Sequence, residues 1–217
     1  ATGYKRIGSV SLARNLERHE ELQRNSSMAK VFGVASKMIN NQELETLYPG
    51  INTEGVIGSL YIEKDGQTNP IDTTMALAKG ARALGAQIIE NTKVDDIILD
   101  GDKAIGVRCA EGSIKGEKII LTGGLWSREI AKKIGIKLPL YACEHYYVMT
   151  EAMPGLTSRP VMRDFDKGIY FKEDAGKMLI GWFEKNAIGC PMTRIREDFS
   201  FDEFPVDMGH IEPYLMA

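Results

Sequence analysis

The stretch ACEHYYVMTE, residues 142–151, sets a histidine beside two tyrosines at the head of an alternating run. An imidazole titrates near neutral pH, so His145 could take up or hand over a proton under ordinary conditions. A tyrosine hydroxyl can donate and accept hydrogen bonds. In a β-strand, where side chains alternate, His145, Tyr147 and Met149 would share one face, and Tyr146 and Val148 the other. From these residues two readings stay open: a core histidine with a satisfied hydrogen bond, or an imidazole projecting from a rigid sheet toward a small polar ligand. A second stretch with chemical potential is LTGGLWSREI, residues 121–130, where two glycines stand between an apolar run and a helix-forming one. Such strand-turn-helix junctions bind ligands because the helix start presents unpaired N–H groups, and glycine lets a ligand approach the backbone closely.

The elements that must position these residues follow from period and punctuation. GSVSLAR (8–14) reads as a strand, and NLERHEELQRNSSMAKVFG (15–33) as an amphipathic helix stopped by Gly33 and weakened in its middle by Asn25, Ser26 and Ser27. NNQELETLYPG (40–50) predicts a short helix ending before Pro49, and VIGSLYIEKDGQTNP (56–70) a strand closed by Asp65-Gly66. IDTTMALAKGARALGA (71–86) places Leu77, Ala78, Ala81 and Leu84 at helical spacing, with Asp72 and Thr73 available as caps and Gly85 as the stop. AQIIEN, a small antiparallel meander over 93–116 and the apolar strand KIILTGG then lead into the helix SREIAKKIG. YACEHYYVMTE, GIYFKED and KMLIGWFEKN are three further strands; Glu173-Asp174-Ala175-Gly176 turns between the last two, and AMPGLTSRPVMRDFDK is a longer connection. The acidic, aromatic tail EDFSFDEFPVDMGH runs over a surface into a final helix.

Composition narrows the classes. With 217 residues, 43% hydrophobic and 26% charged, the chain can bury a substantial core as one large or two small domains. A net charge of −3 without a Lys/Arg run argues against a nucleic-acid surface. No apolar stretch approaches the roughly 20 residues needed to cross a bilayer, and no export signal opens the chain. Cys109, Cys143 and Cys190 are odd in number and widely spaced, which supports neither a disulfide framework nor a zinc site and suits a reducing compartment. Both ends fall inside elements, so the chain reads as an excised segment.

Four segments, YIEKDGQTNPIDTTMALAKGARALGAQIIENTKVDDI, IILTGGLWSREIAKKIGIKLPL, CEHYYVMTE and GIYFKEDAGKMLIGWFEKN, taken in this order and spacing, resemble the FAD-dependent amine oxidoreductases of the D-amino-acid oxidase superfamily, nearest to its dimethylglycine and sarcosine dehydrogenases. The resemblance runs over nearly the whole chain. It implies a mixed α/β (α+β) fold truncated at both ends: part of an FAD-binding domain over 71–137, with substrate-domain pieces in 1–70 and in the antiparallel sheet of 138–217. The GxGxxG strand-turn-helix and the closing glycine-rich segment of the family pattern are not in this sequence. The expectation is therefore a chain that by itself binds FAD weakly or not at all and is inactive.

What the resemblance implies can be assigned residue by residue. The backbone at Val94 would meet the adenine end of FAD, and Thr122, Gly123 and Gly124 match the family's second glycine turn. His145 would face flavin and substrate amine as the catalytic base, with Tyr170 on a neighbouring strand as its catalytic partner. Tyr147 could wall an N-methyl group, as aromatic faces do for cationic amines, or could be a core aromatic. Gly181 and Trp182 fall where the family carries consecutive small residues near the substrate; tryptophan departs from that pattern and would narrow the pocket or point outward. Arg163 matches a family arginine, although an Arg-Asp pair is as often a structural salt bridge. The activity implied is FAD-dependent oxidation of the C–N bond of dimethylglycine or sarcosine to an iminium, with formaldehyde released and electrons passed to an electron-transfer flavoprotein or oxygen. Two alternatives remain: an oxidase of D-amino acids or glycine, and a non-catalytic regulatory relative. The expected setting is bacterial cytoplasm or mitochondrial matrix, with no nucleic-acid partner, membrane or metal.

Overall fold

The computed structural model describes residues 2–216. Contacts divide the chain into two compact units: one holds residues up to Gly80, His145–Asn186 and Pro205 onward, the other Ala81–Glu144 and Ala187–Phe204. In chain order the elements are β1 (Ser9–Ala13), α1 (Leu16–Val31), β2 (Lys37–Ile39), α2 (Asn41–Leu47), β3 (Gly58–Ile62) and α3 (Pro70–Ala83). They continue with β4 (Val94–Asp100), β5 (Lys103–Cys109), β6 (Gly112–Lys115), α4 (Ser127–Lys133), β7 (Tyr147–Met149), β8 (Val161–Asp164), β9 (Ile169–Asp174), β10 (Lys177–Trp182) and α5 (Met208–Leu215).

The first unit is built on a seven-stranded mixed sheet in the order β2-β3-β1-β8-β9-β10-β7. Only β1 and β8 run parallel; every other pair is antiparallel. One face carries the core, where Val10, Leu12, Met162 and Met178 pack with Leu44, Tyr48 and Val56. Alternation along each strand does this: in β8, Met162 and Asp164 are buried while Arg163 is exposed. Helix α1 begins at Asn15, whose side chain accepts from Arg18 N–H, and its serines do not break it. Ser26 Oγ bonds Ser36 Oγ at 2.9 Å and Ser27 Oγ donates to the Gln23 carbonyl, so both hydroxyls are satisfied within the fold. Helix α2 starts with a full capping box, Asn40 and Glu43 exchanging side-chain and backbone bonds. The tight β9–β10 hairpin places both Ala175 (φ 53°) and Gly176 (φ 78°) in the left-handed region that twist-matched two-residue turns require.

The second unit contains the antiparallel meander β4-β5-β6, with register shifts in β4 between Val94 and Asp96 and between Ile98 and Leu99. Lys133 of α4 ties to this meander through the Asp95 carbonyl at 2.7 Å and the Asp96 carboxylate at 3.2 Å.

Four details of the sequence reading are corrected. AQIIEN and KIILT form no strand; an apolar run becomes one only when a neighbour pairs its N–H and C=O groups, and Ile89 and Ile120 are 61% and 83% exposed. The connection over 152–167 contains a strand, β8, inserted beside β1. Of YACEHYYVMTE only Tyr147–Met149 is strand. The cap of α3 is Asn69, whose side chain accepts from Asp72 N–H, rather than Asp72 or Thr73. Among the described residues no helix is long and apolar enough to cross a membrane.

Candidate active site

Four adjacent strands of the first unit, β8, β9, β10 and β7, carry one row of residues. Gly181 of β10 lies in register between Tyr147 of β7 and Tyr170 of β9, and Arg163 of β8 stands opposite Tyr170 on its other side. Because cross-strand partners point to the same face, Arg163, Tyr170 and Tyr147 share it. His145, just before β7, joins them: its Nε2 is 3.3 Å from the Tyr170 hydroxyl and its side chain is 44% exposed. The His145 ring stacks on Tyr170 with centroids 6.0 Å apart and on Phe183 at 5.7 Å. Imidazole 145 and the phenol of Tyr170 are thus brought together, as the sequence reading required.

Gly181 is what makes the row possible. A Cβ there would sit 2.1 Å from Tyr170 Cζ and 2.2 Å from its hydroxyl oxygen, so the tyrosine ring lies directly over the bare backbone. Burial, followed by the Glu184 carboxylate and, once ionised at high pH, the neighbouring Tyr147, pushes the Tyr170 phenol above its ordinary pKa of 10.0, and it stays protonated through the neutral range. Trp182, one residue on, points to the opposite face. It is 1% exposed and its indole N–H donates to the Tyr214 carbonyl at 3.1 Å, so it fills core and does not join this row. Arg163 is not held by its sequence neighbour, because the Asp164 carboxylate pairs with Arg14 at 2.6 Å.

One residue of this group was missed by sequence reasoning. Glu184 Oε2 lies 3.1 Å from His145 Nδ1, Oε1 accepts the Tyr146 N–H at 3.2 Å, and its side chain is 2% exposed. The signal existed: extending the β7–β10 register brings Phe183 opposite His145 and Glu184 just beyond. It required knowing that these non-consecutive strands pair.

The positions proposed for cofactor lie in the second unit. Val94 opens β4 opposite Cys109. Thr122 and Gly124 are exposed, and Gly123 and Gly124 lead through a short 3-10 turn into α4. Gly124 has φ 54°, and nothing stands within 4 Å of where its Cβ would be. A cavity of about 440 Å³ opens beside it, walled by Arg128, Tyr141 and Pro191. Its wall also carries Glu129 beside Arg128, so the lining as a whole is not cationic, and what it offers a ribose- or phosphate-bearing cofactor is open backbone at Gly124 with one guanidinium. On the face of His145, Tyr147, Met149 and Phe183 are 48%, 46% and 52% exposed, an apolar and aromatic surface suited to a planar ring.

The chain is similar to several known proteins. The 4-methylaminobutanoate oxidase (formaldehyde-forming) of Paenarthrobacter nicotinovorans is 36% identical over 97% of this chain and 26% of its own length. The mitochondrial sarcosine dehydrogenase of Homo sapiens is 33% identical over 95% of this chain and 23% of its own. The chain thus spans about a quarter of the length of these relatives. The crystal structure of L-proline dehydrogenase from P. horikoshii superposes with a TM-score of 0.82 at 24% identity, over 99% of this chain and 56% of that one, which establishes the shared fold. Residues 1–217 match the family described as "DAO: FAD dependent oxidoreductase", and the chain belongs to that family.

Proposed function

We propose that this chain supplies the substrate-binding sheet and part of the cofactor site of an FAD-dependent oxidoreductase acting on an N-methyl amino acid such as sarcosine or dimethylglycine. The N-methyl carbon gives up a hydride equivalent, the resulting iminium takes up water, and the C–N bond then breaks to release formaldehyde and the demethylated amine. FAD, when bound, supplies the two-electron acceptor.

The observation that carries this reading is the contact of His145 Nε2 with the Tyr170 hydroxyl at 3.3 Å on an open aromatic face. An ammonium has no lone pair to drive iminium formation, so a base must first hold its proton; a neutral imidazole at Nε2 does so near neutral pH. Tyr170, kept neutral, orients the amine or the imidazole through its hydroxyl, and the exposed ring of Tyr147 walls the N-methyl group. Arg163, exposed and in register with Tyr170, provides the cation for the substrate carboxylate. Val94 and Thr122–Gly124 hold the cofactor through backbone groups. The similarity to enzymes whose names specify N-methyl amines supports the substrate class.

The test is formaldehyde release from sarcosine and dimethylglycine by the flavin-loaded enzyme of which this chain is a part, and by its His145→Gln variant. We expect the variant to lose at least about a hundredfold in kcat/KM, the low end of what a general base contributes. Unchanged turnover, or ammonia in place of formaldehyde, would refute the proposal.

A further inference from the structure

We infer that Glu184 is the positioning residue of the His145 base: its carboxylate fixes the imidazole with the proton on Nδ1, and so presents Nε2 as a bare acceptor toward Tyr170 and the incoming amine. This rests on the reading of His145 given above and goes beyond it in naming what makes that nitrogen basic.

The argument starts from proton inventory. An ionised carboxylate can only accept, so a 3.1 Å contact between Glu184 Oε2 and His145 Nδ1 requires the hydrogen to sit on Nδ1. A neutral imidazole carries one such hydrogen, which leaves Nε2 with a lone pair. The Tyr170 hydroxyl, 3.3 Å away, must then donate to it. The chain of donors runs in one direction, from Tyr170 O–H to Nε2 and from Nδ1–H to Glu184. The raised phenol pKa is consistent with a hydroxyl that keeps its proton to donate.

Burial makes the carboxylate specific to this task. A side chain 2% exposed has left bulk water and is tolerated only where its oxygens are bonded. Each oxygen has one partner, Tyr146 N–H for Oε1 and His145 Nδ1 for Oε2, and among the described residues no lysine or arginine stands within ion-pair distance. A purely structural role would be met by the backbone contact alone; the second oxygen is turned to the imidazole. The same carboxylate holds the plane of the ring, so that Nε2 keeps its direction toward Tyr170. The ionisable groups around the ring are Glu184 after β10, Tyr170 on β9 and, acting on Tyr170, Tyr147 on β7.

The direct measurement is the tautomer. In ¹⁵N-histidine-labelled protein, with the His145 signals assigned by their loss in His145→Gln, the neutral ring should show a protonated Nδ1 and an unprotonated Nε2. A proton on Nε2 in the wild type overturns the inference without recourse to any variant. In Glu184→Gln we expect a mixture of tautomers and a fall in kcat/KM of roughly 10- to 100-fold, with the melting temperature as the check on folding. An unmoved tautomer in that variant also overturns it, even where His145→Gln abolishes turnover and leaves the base reading intact. Conversely, a shifted tautomer together with a fully active His145→Gln variant would uphold the positioning and remove the base.

Discussion

Replacing Gly181 with alanine places one methyl group where the Tyr170 ring now lies, and the size of the effect can be worked from distances. The added Cβ would stand 2.1 Å from Cζ, 2.2 Å from the hydroxyl oxygen and 2.5 Å from Cε1, whereas ordinary carbon contacts lie at about 3.5–4.0 Å. The ring must withdraw by more than about 1 Å. Its exits are limited, because His145 stacks on it and Phe183 sits 5.2 Å away. Withdrawal forfeits the hydrogen bond to His145, worth about 0.5–1.5 kcal/mol, part of the aromatic contact at about 0.5–1.5 kcal/mol, and about 0.5–1.5 kcal/mol for an off-rotamer side chain. Alanine offsets some of this, since glycine in a strand costs roughly 0.5–1 kcal/mol relative to it. The net expectation is about 1–3 kcal/mol of lost stability in denaturant unfolding, with formaldehyde release reduced because Tyr170 no longer meets His145. The second substitution in a double-mutant cycle is Tyr170→Ala. Once the ring is gone, Gly181→Ala should cost nothing or stabilise slightly, giving a coupling energy of at least about 1 kcal/mol. A Gly181→Ala protein as stable and active as the wild type, or a cycle without coupling, would refute the claim that this glycine exists to admit the ring.

Two other outcomes follow from named contacts. Burial alone would raise the Asp166 carboxyl, but hydrogen bonds from the Arg14 N–H at 3.1 Å and the Arg18 guanidinium at 3.2 Å, with Asn15 beside them, outweigh it and hold the group below its ordinary 3.8. A depressed pKa contributes stability that is present above about pH 4 and lost as pH falls through the folded value; Asp166→Asn should therefore flatten the decline of unfolding free energy below about pH 4, and an unchanged pH slope would count against the assignment. Arg163→Met should raise KM for sarcosine roughly ten- to a hundredfold while kcat stays within a few fold, as expected when a charge-assisted bond made equally in ground and transition states is removed; an unchanged KM would exclude Arg163 as the carboxylate anchor.

Features written in local chemistry were legible in the sequence. The helix over 70–83, the meander over 94–115 and the β9–β10 hairpin follow from residues close together in the chain. Features that depend on a partner far along the chain were not. The four residues of β8 carry too little periodicity to mark a strand and become one only because β1 and β9 offer ladders on both sides. AQIIEN and KIILT carry strand composition but no pairing neighbour, so propensity and outcome part. The pairing of His145 with Tyr170 was accessible through the family pattern. Glu184 was not, because its role appears only when β7 and β10 are laid side by side.

The adjacent pair Gly181 and Trp182 shows how the two faces of one strand divide their work. A tryptophan where small residues were expected could have narrowed the substrate space, but alternation turns consecutive side chains to opposite sides. Gly181 stays on the side of Tyr170 and Tyr147, and Trp182 fills the core side, fixed by its bond to the Tyr214 carbonyl. The bulk at 182 therefore takes no room from the face that carries His145 and Tyr147. Its burial and its bond to the Tyr214 carbonyl set it on the core side of β10, the strand whose bare backbone at 181 lies under the Tyr170 ring and whose exit carries Glu184 to His145.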